Sequence, residues 1–163
     1  MKKWLRLLLI VAIGIQIYPV DRSNPPVQSD FSGPEEVKAM LKVACYDCHS
    51  NETQWPWYSY VAPVSWFVAH HVEEGRAEFN LSAWDAIDEM HQMKIREEMW
   101  EEVEEGEMPL PPYVLLHSEA ILSEEQKKAL EEWAEGEEGD DDEDEEHDDE
   151  EEHDDEEEHD DDD

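Results

Sequence analysis

The chain is short of cations. It has 11 Lys and Arg against 48 Asp and Glu, for a formal net charge of −37. That balance argues against a nucleic-acid partner, whose phosphates it would repel. Cysteine is scarcer still, with two in the whole sequence. A closed zinc site needs four ligands, and no second C-x-x-C or H-x-x-x-H pair is there to complete one. A redox dithiol wants a βαβ context, and no convincing alternating strand pattern occurs. No Gly-rich phosphate loop, Ser-His-Asp arrangement or paired-carboxylate site stands out. Long apolar runs are also missing. The run Leu7 to Tyr18 is broken by Gly14 and Gln16, and a typical spanning helix wants about 20 apolar residues.

What is present is concentrated in Cys45-Tyr46-Asp47-Cys48-His49. C-x-x-C-H is the attachment signature of a c-type haem. Two thiols three positions apart can each bond one porphyrin vinyl group, and the following histidine can place an imidazole nitrogen on the iron. The motif uses both cysteines of the chain. A plain disulfide in an oxidising compartment is the simplest alternative.

Lys2, Lys3 and Arg6 precede the apolar run, which gives a charged n-region and an apolar h-region. Counted from Trp4 to Val20, the run comes close to a membrane span. No small-x-small cleavage site follows it, so residues 1–20 read as an uncleaved signal anchor, with a cleaved signal as the alternative. This orientation puts the cations in the cytoplasm and the remainder on the periplasmic side of the cytoplasmic membrane. Residues 21–33, rich in Pro, Ser and Asp, read as an extended linker.

Of the 48 acids, 24 lie from Glu135 onward, where no base occurs. Residues 135–163 have no apolar residue to offset chain entropy and read as a disordered tail. Within it His147, His153 and His159 recur every six residues among carboxylates. Such a tract can bind divalent metal weakly, can steer a basic partner, or can simply solvate. Residues 34–134 remain as one domain of ordinary size.

The domain reads as helical. Ser32 and Pro34 start a helix with Val37, Met40, Leu41 and Ala44 on one face. A second helix runs from about Pro63 to Glu78, with Val64, Phe67, Val68 and Val72 apolar. A third runs from about Trp84 to Glu105, with Ile87, Met90, Ile95, Met99 and Val103, and Gly106 stops it. The last starts at Ser123, with Gln126 completing a capping box, and buries Ala129, Leu130 and Trp133.

An iron held by His49 needs a sixth ligand or a vacancy. Met108 is the leading candidate, in the loop Gly106-Glu107-Met108-Pro109-Leu110-Pro111-Pro112-Tyr113, where prolines fix the backbone. A thioether ligand raises the reduction potential. His70 or His71 is the rival. Consecutive helical residues point about 100° apart, so at most one could face the iron. His91, His117, Met90, Met93 and Met99 are weaker candidates. The cluster Trp55-Pro56-Trp57-Tyr58-Ser59-Tyr60 could wall a haem. Arg76 could pair with a propionate or face water.

Several separated segments match one family in order. They are Ala44 to Thr53, Trp55 to Tyr58, Ala62 to Trp66, His70 to Arg76 and Gly106 to Pro109. The chain resembles the bacterial haem-binding domain proteins over roughly residues 20–134. The resemblance implies a small all-α, cytochrome c-like domain of about four helices around one haem c. It implies covalent attachment at Cys45 and Cys48, with His49 as proximal ligand. An N-terminal membrane helix is common in the family, and an acidic tail is not part of its pattern. The expected function is electron transfer to redox partner proteins at the outer face of the membrane, without bond chemistry. A haem peroxidase or a gas or redox sensor with a displaceable sixth ligand is the alternative.

Overall fold

The protein is described here by a computed structural model that covers residues 2–136. The metal binding expected of His147, His153 and His159 lies outside the described residues, as does the disorder expected of residues 135–163 except at Glu135 and Gly136, which end the last helix. Every regular element among the described residues is helical. In chain order they are α1 (Lys2–Gly14), α2 (Glu35–Ala44), α3 (Tyr46–His49), α4 (Val64–Glu78), α5 (Glu89–Glu104), α6 (Pro111–Val114) and α7 (Glu124–Ala134). Short 3₁₀ turns at Ile15–Ile17, Trp57–Tyr60, Leu81–Ala86 and Ser118–Ala120 join them. The four longer helices after α1 are the four that the hydrophobic spacing marks.

The N-terminal helix is not the expected membrane span. α1 has 13 residues, about 20 Å at the α-helical rise, against a hydrocarbon core of about 30 Å. Among the described residues no helix is long and apolar enough to cross a membrane. The break comes where the sequence turns polar. After Gly14 the chain tightens into a 3₁₀ turn, and the Gln16 side chain bonds back to the domain. Its amide donates to the Ala62 carbonyl (3.1 Å) and accepts from the Ala62 N–H (2.9 Å). Tyr18 then meets Trp66 edge-on at 5.9 Å. α1 itself has no buried residue.

Segment 21–33 is no free spacer either. Arg22 Nε donates to the Ser59 carbonyl (2.8 Å), and its guanidinium lies 4.5 Å over the Tyr60 ring. The Gln28 and Ser29 amides both donate to the Ser82 carbonyl. Phe31 is buried at 1% exposure. Its ring lies 5.4 Å from Trp84 and 5.5 Å from Trp133. This aromatic trio, with Leu41, Leu81 and Leu130, is the centre of the core on which α2, α5 and α7 pack.

Local signals explain most helix ends. The capping box at Ser123 forms as expected, with Gln126 reciprocating. Gly106 takes φ 77°, the left-handed backbone that ends α5. Two starts differ from expectation. Ser32 does not cap α2; its hydroxyl donates to Asp85 Oδ1 at 2.6 Å, and Pro34 precedes the helix without a side-chain cap. α5 begins at Glu89, capped by Asp88, because Trp84 is drawn into the core within a 3₁₀ turn. α4 also departs from its apolar pattern. Val64 and Phe67 are exposed, and Ser65, Val72 and Gly75 are buried. Met90 lies outside the buried stripe of α5 at 73% exposure.

Candidate cofactor site

The cysteine motif sits at a break between two helices. α2 ends at Ala44, and Cys45, at φ −120° and ψ −32°, turns the chain into α3. The Cys48 and His49 amides both donate to the Cys45 carbonyl, at 3.1 and 2.8 Å. One turn therefore carries both thiols and the imidazole. Ser50 closes it by donating its hydroxyl to the Tyr46 carbonyl (2.7 Å).

α4 holds that turn from one side. Gly75 faces Cys48 so closely that a Cβ would lie 2.9 Å from the Cys48 carbonyl oxygen. The next residue, Arg76, reaches past it. Its Nε donates to the Ser50 carbonyl (2.8 Å), and its terminal nitrogens donate to Asn24 Oδ1, Thr53 Oγ1 and the Ser23 carbonyl. The guanidinium thus ties the end of the motif to segment 21–33. It neither lines the cavity nor stands free in water.

A cavity of about 630 Å³ opens beside the motif, within the range of cofactor sites. Cys45, Cys48, His49, His71 and Met108 all line it. Met99, Val103, Leu110, Leu122 and Phe79 supply apolar wall, and Glu74, Glu78, Glu98, Glu101 and Glu102 supply carboxylates. The lining contains no Lys or Arg. His70 is not in it. Its Nε2 pairs with Glu74 Oε2 at 3.2 Å, largely exposed. Of the two neighbouring histidines, the structure brings His71 to the cavity.

Cys45, Cys48 and His49 are half-buried, and that burial shifts their protonation. Burial pushes the Cys45 thiol up to about 12 and the Cys48 thiol up to about 11, the latter helped by the Asp47 charge. Burial pushes His49 down to about 4, against an opposing pull from backbone groups of Gly75 and Phe79. Nδ1 itself is buried without a hydrogen-bond partner. The ring is stacked on Phe79, with centroids 4.0 Å apart. A neutral imidazole with free nitrogen capacity is a metal-ligating group.

Met108 is placed by α5. Beyond Gly106, the Glu107 and Met108 amides both donate to the Glu102 carbonyl at 3.0 Å. The sulfur-bearing loop is thereby tied to the helix that supplies Met99 and Val103. Tyr113 donates its hydroxyl to Asp47 Oδ2 (2.9 Å), and Asp47 Oδ1 accepts from the Gln54 amide (2.8 Å). Asp47 lies between the two cysteines, so this pair couples the proline loop to the motif.

The tryptophan-rich cluster does not wall the cavity. Trp57 is 78% exposed, and Tyr58 turns to His117, with its hydroxyl 2.7 Å from Nε2. His117 also contacts Glu119, and His91 pairs with Asp88. Met90 and Met93 are exposed. None of these reaches the cavity, whereas Met99 does. The aromatic walls are Phe79 and Tyr113, which sequence reasoning missed. Phe79 lies just past the end of α4, and Tyr113 follows the proline run. Neither sits in an aromatic cluster that would draw attention.

Two thiols, a half-buried imidazole with an unpartnered nitrogen and a thioether around one largely apolar cavity form a donor set that fits a haem. A protein-family model described as a haem-binding domain matches residues 10–136. No curated protein and no solved structure matches the chain significantly.

Proposed function

Because the chain belongs to the haem-binding domain family, we propose that it is an electron-transfer protein for a covalent c-type haem, whose porphyrin Cys45 and Cys48 would hold and whose iron His49 and Met108 would hold. The observation that carries this reading is the convergence of Cys45, Cys48, His49 and Met108 on one cavity. When bound, a haem supplies one-electron redox chemistry. Cys45 and Cys48 would hold the porphyrin through two thioether links, one from each sulfur. His49 is held neutral by burial and oriented by its stack on Phe79, so a lone pair is free for iron at ordinary pH. Met108 offers a soft neutral sulfur that favours ferrous iron.

A peroxidase or gas-sensing role would need the sixth position vacated. The two amides held by the Glu102 carbonyl restrain the Met108 loop and favour retention of the sulfur. A location at a membrane surface is supported by the exposed apolar side chains of α1, which lie among Lys2, Lys3 and Arg6. The apolar helix would hold the domain there without spanning the bilayer as a helix.

The test is a haem stain on a denaturing gel, with intact mass, of protein produced alongside a haem-attachment system. The expected result is one haem mass retained after denaturation and lost in Cys45→Ala/Cys48→Ala. Protein of unmodified mass, with the two sulfurs joined to each other, would overturn the reading.

A further inference from the structure

We propose that His70, His71 and Glu74 of α4 form a binding site for one divalent transition-metal ion of the zinc class, distinct from the haem iron. The inference takes His71 to be free of the iron, and so rests on the reading of Met108 as the sixth ligand.

The three side chains converge. One ligand atom from each lies within 4.8 Å of the others. His70 Nε2 and Glu74 Oε2, one helical turn apart, are already at 3.2 Å. Zinc bonds of 2.0–2.1 Å in a tetrahedron put donors about 3.4 Å apart. The remaining closure is a matter of side-chain rotation on a fixed helix.

An ordinary ion pair accounts for His70 and Glu74 but not for His71. The His71 Nδ1 is buried and has no hydrogen-bond partner, while the Phe67 ring lies 4.1 Å from the imidazole and the His70 ring 5.6 Å away. A buried nitrogen left unpaired is unfavourable, and no hydrogen bond at it holds the ring against turning toward a metal. Two imidazoles and one carboxylate suit zinc, copper or nickel, whereas magnesium and calcium prefer oxygen. Three protein ligands leave a fourth position for water. His70 and Glu74 are 61% and 59% exposed, so the ion enters from solvent.

The placement gives the ion a consequence. His71 and Glu74 also line the haem cavity, so a bound dication adds positive charge at its wall. Positive charge favours the reduced state of a redox centre nearby. Metal occupancy therefore raises the reduction potential of a haem held there.

The experiment uses the full-length, haem-loaded chain with His147, His153 and His159 replaced by Ala, which removes the tail imidazoles. Zinc is titrated by calorimetry into this protein and into the same protein carrying His70→Ala or Glu74→Gln. The expected result is one zinc per chain in the parent and at least tenfold weaker binding in either variant. The haem spectrum of the His70→Ala protein should stay unchanged, because His70 does not line the cavity. A parent that binds no zinc, or variants whose affinity changes less than tenfold, would overturn the site. Failure of haem attachment is read separately from intact mass, and the titration is then repeated on the Cys45→Ala/Cys48→Ala background, where no motif thiol can take up zinc.

Discussion

Gly75 and Cys48 are packed backbone to backbone, with room for no side chain between them. A Cβ on Gly75 would meet the Cys48 carbonyl oxygen at 2.9 Å, its carbon at 3.1 Å and its Cβ at 3.2 Å. Two of those atoms are backbone and cannot rotate away, so Gly75→Ala must push α4 from the motif turn. Overpacking of this kind costs roughly 1–3 kcal/mol. The expected outcome is a lower melting temperature and a reduced yield of covalent haem, measured as the haem-to-protein absorbance ratio. A variant with wild-type loading and stability would show that the turn tolerates displacement.

Arg76 makes four hydrogen bonds that join Ser23, Asn24, Ser50 and Thr53. A lysine keeps the charge but is a point donor and not a fork. Arg76→Lys is therefore expected to lose about 1–3 kcal/mol, read by denaturant unfolding. The expected structural sign is faster proteolysis within segment 21–33, which loses its tie to Thr53 and Ser50. A substitution as mild as a surface Arg→Lys change would argue that Arg22, the Gln28 and Ser29 amides and Phe31 hold the segment without it.

The sequence signals that proved reliable are those whose partners are local. Ser123 and Gln126 are three residues apart and cap each other. Gly106 ends α5 because the required φ of 77° belongs to its own backbone. Signals that depend on distant neighbours fared worse. Ser32 finds Asp85, 53 positions away, and gives up the cap. Val64 and Phe67 follow helical spacing yet face solvent, because the buried face of α4 must be small where it meets the motif. Gly75 inside that helix was the available clue, since a glycine in a helical pattern often marks close approach. Around the cavity, Cys45, Cys48, His49 and Met108 stand out in the sequence by their chemistry. Phe79 and Tyr113 were not, because a lone aromatic carries no sign of which cavity it faces. The choice between His70 and His71 needed the rotation of α4, which spacing alone does not fix.

Phe31, Trp84 and Trp133 bind segment 21–33 to the helical core. Phe31 comes from outside the helices and is 1% exposed. Phe31→Ala is expected to cost roughly 3–5 kcal/mol, comparable to Trp84→Ala within the domain. Chemical denaturation of both variants checks this. A loss below about 1 kcal/mol for Phe31→Ala, against the full loss for Trp84→Ala, would mean that the segment contributes little to the fold.

Met108 offers the sharpest test of the ligand set. Its amide and that of Glu107 are held by the Glu102 carbonyl, so Met108→Ala removes the sulfur and leaves the loop's backbone anchor in place. The cavity then keeps one further nitrogen ligand, His71. With Met108 on the iron, the variant is expected to lose the methionine-to-iron charge-transfer band. Its reduction potential should fall, because water or imidazole stabilises ferrous iron less than a thioether does. Optical spectra and a redox titration of the haem-loaded variant beside wild type check both. The double variant Met108→Ala/His71→Ala then separates the replacements. If His71 takes the vacant position in the single variant, the double variant changes from low to high spin; if water takes it, the two variants share one spectrum. An unchanged spectrum in Met108→Ala itself would remove Met108 from the iron.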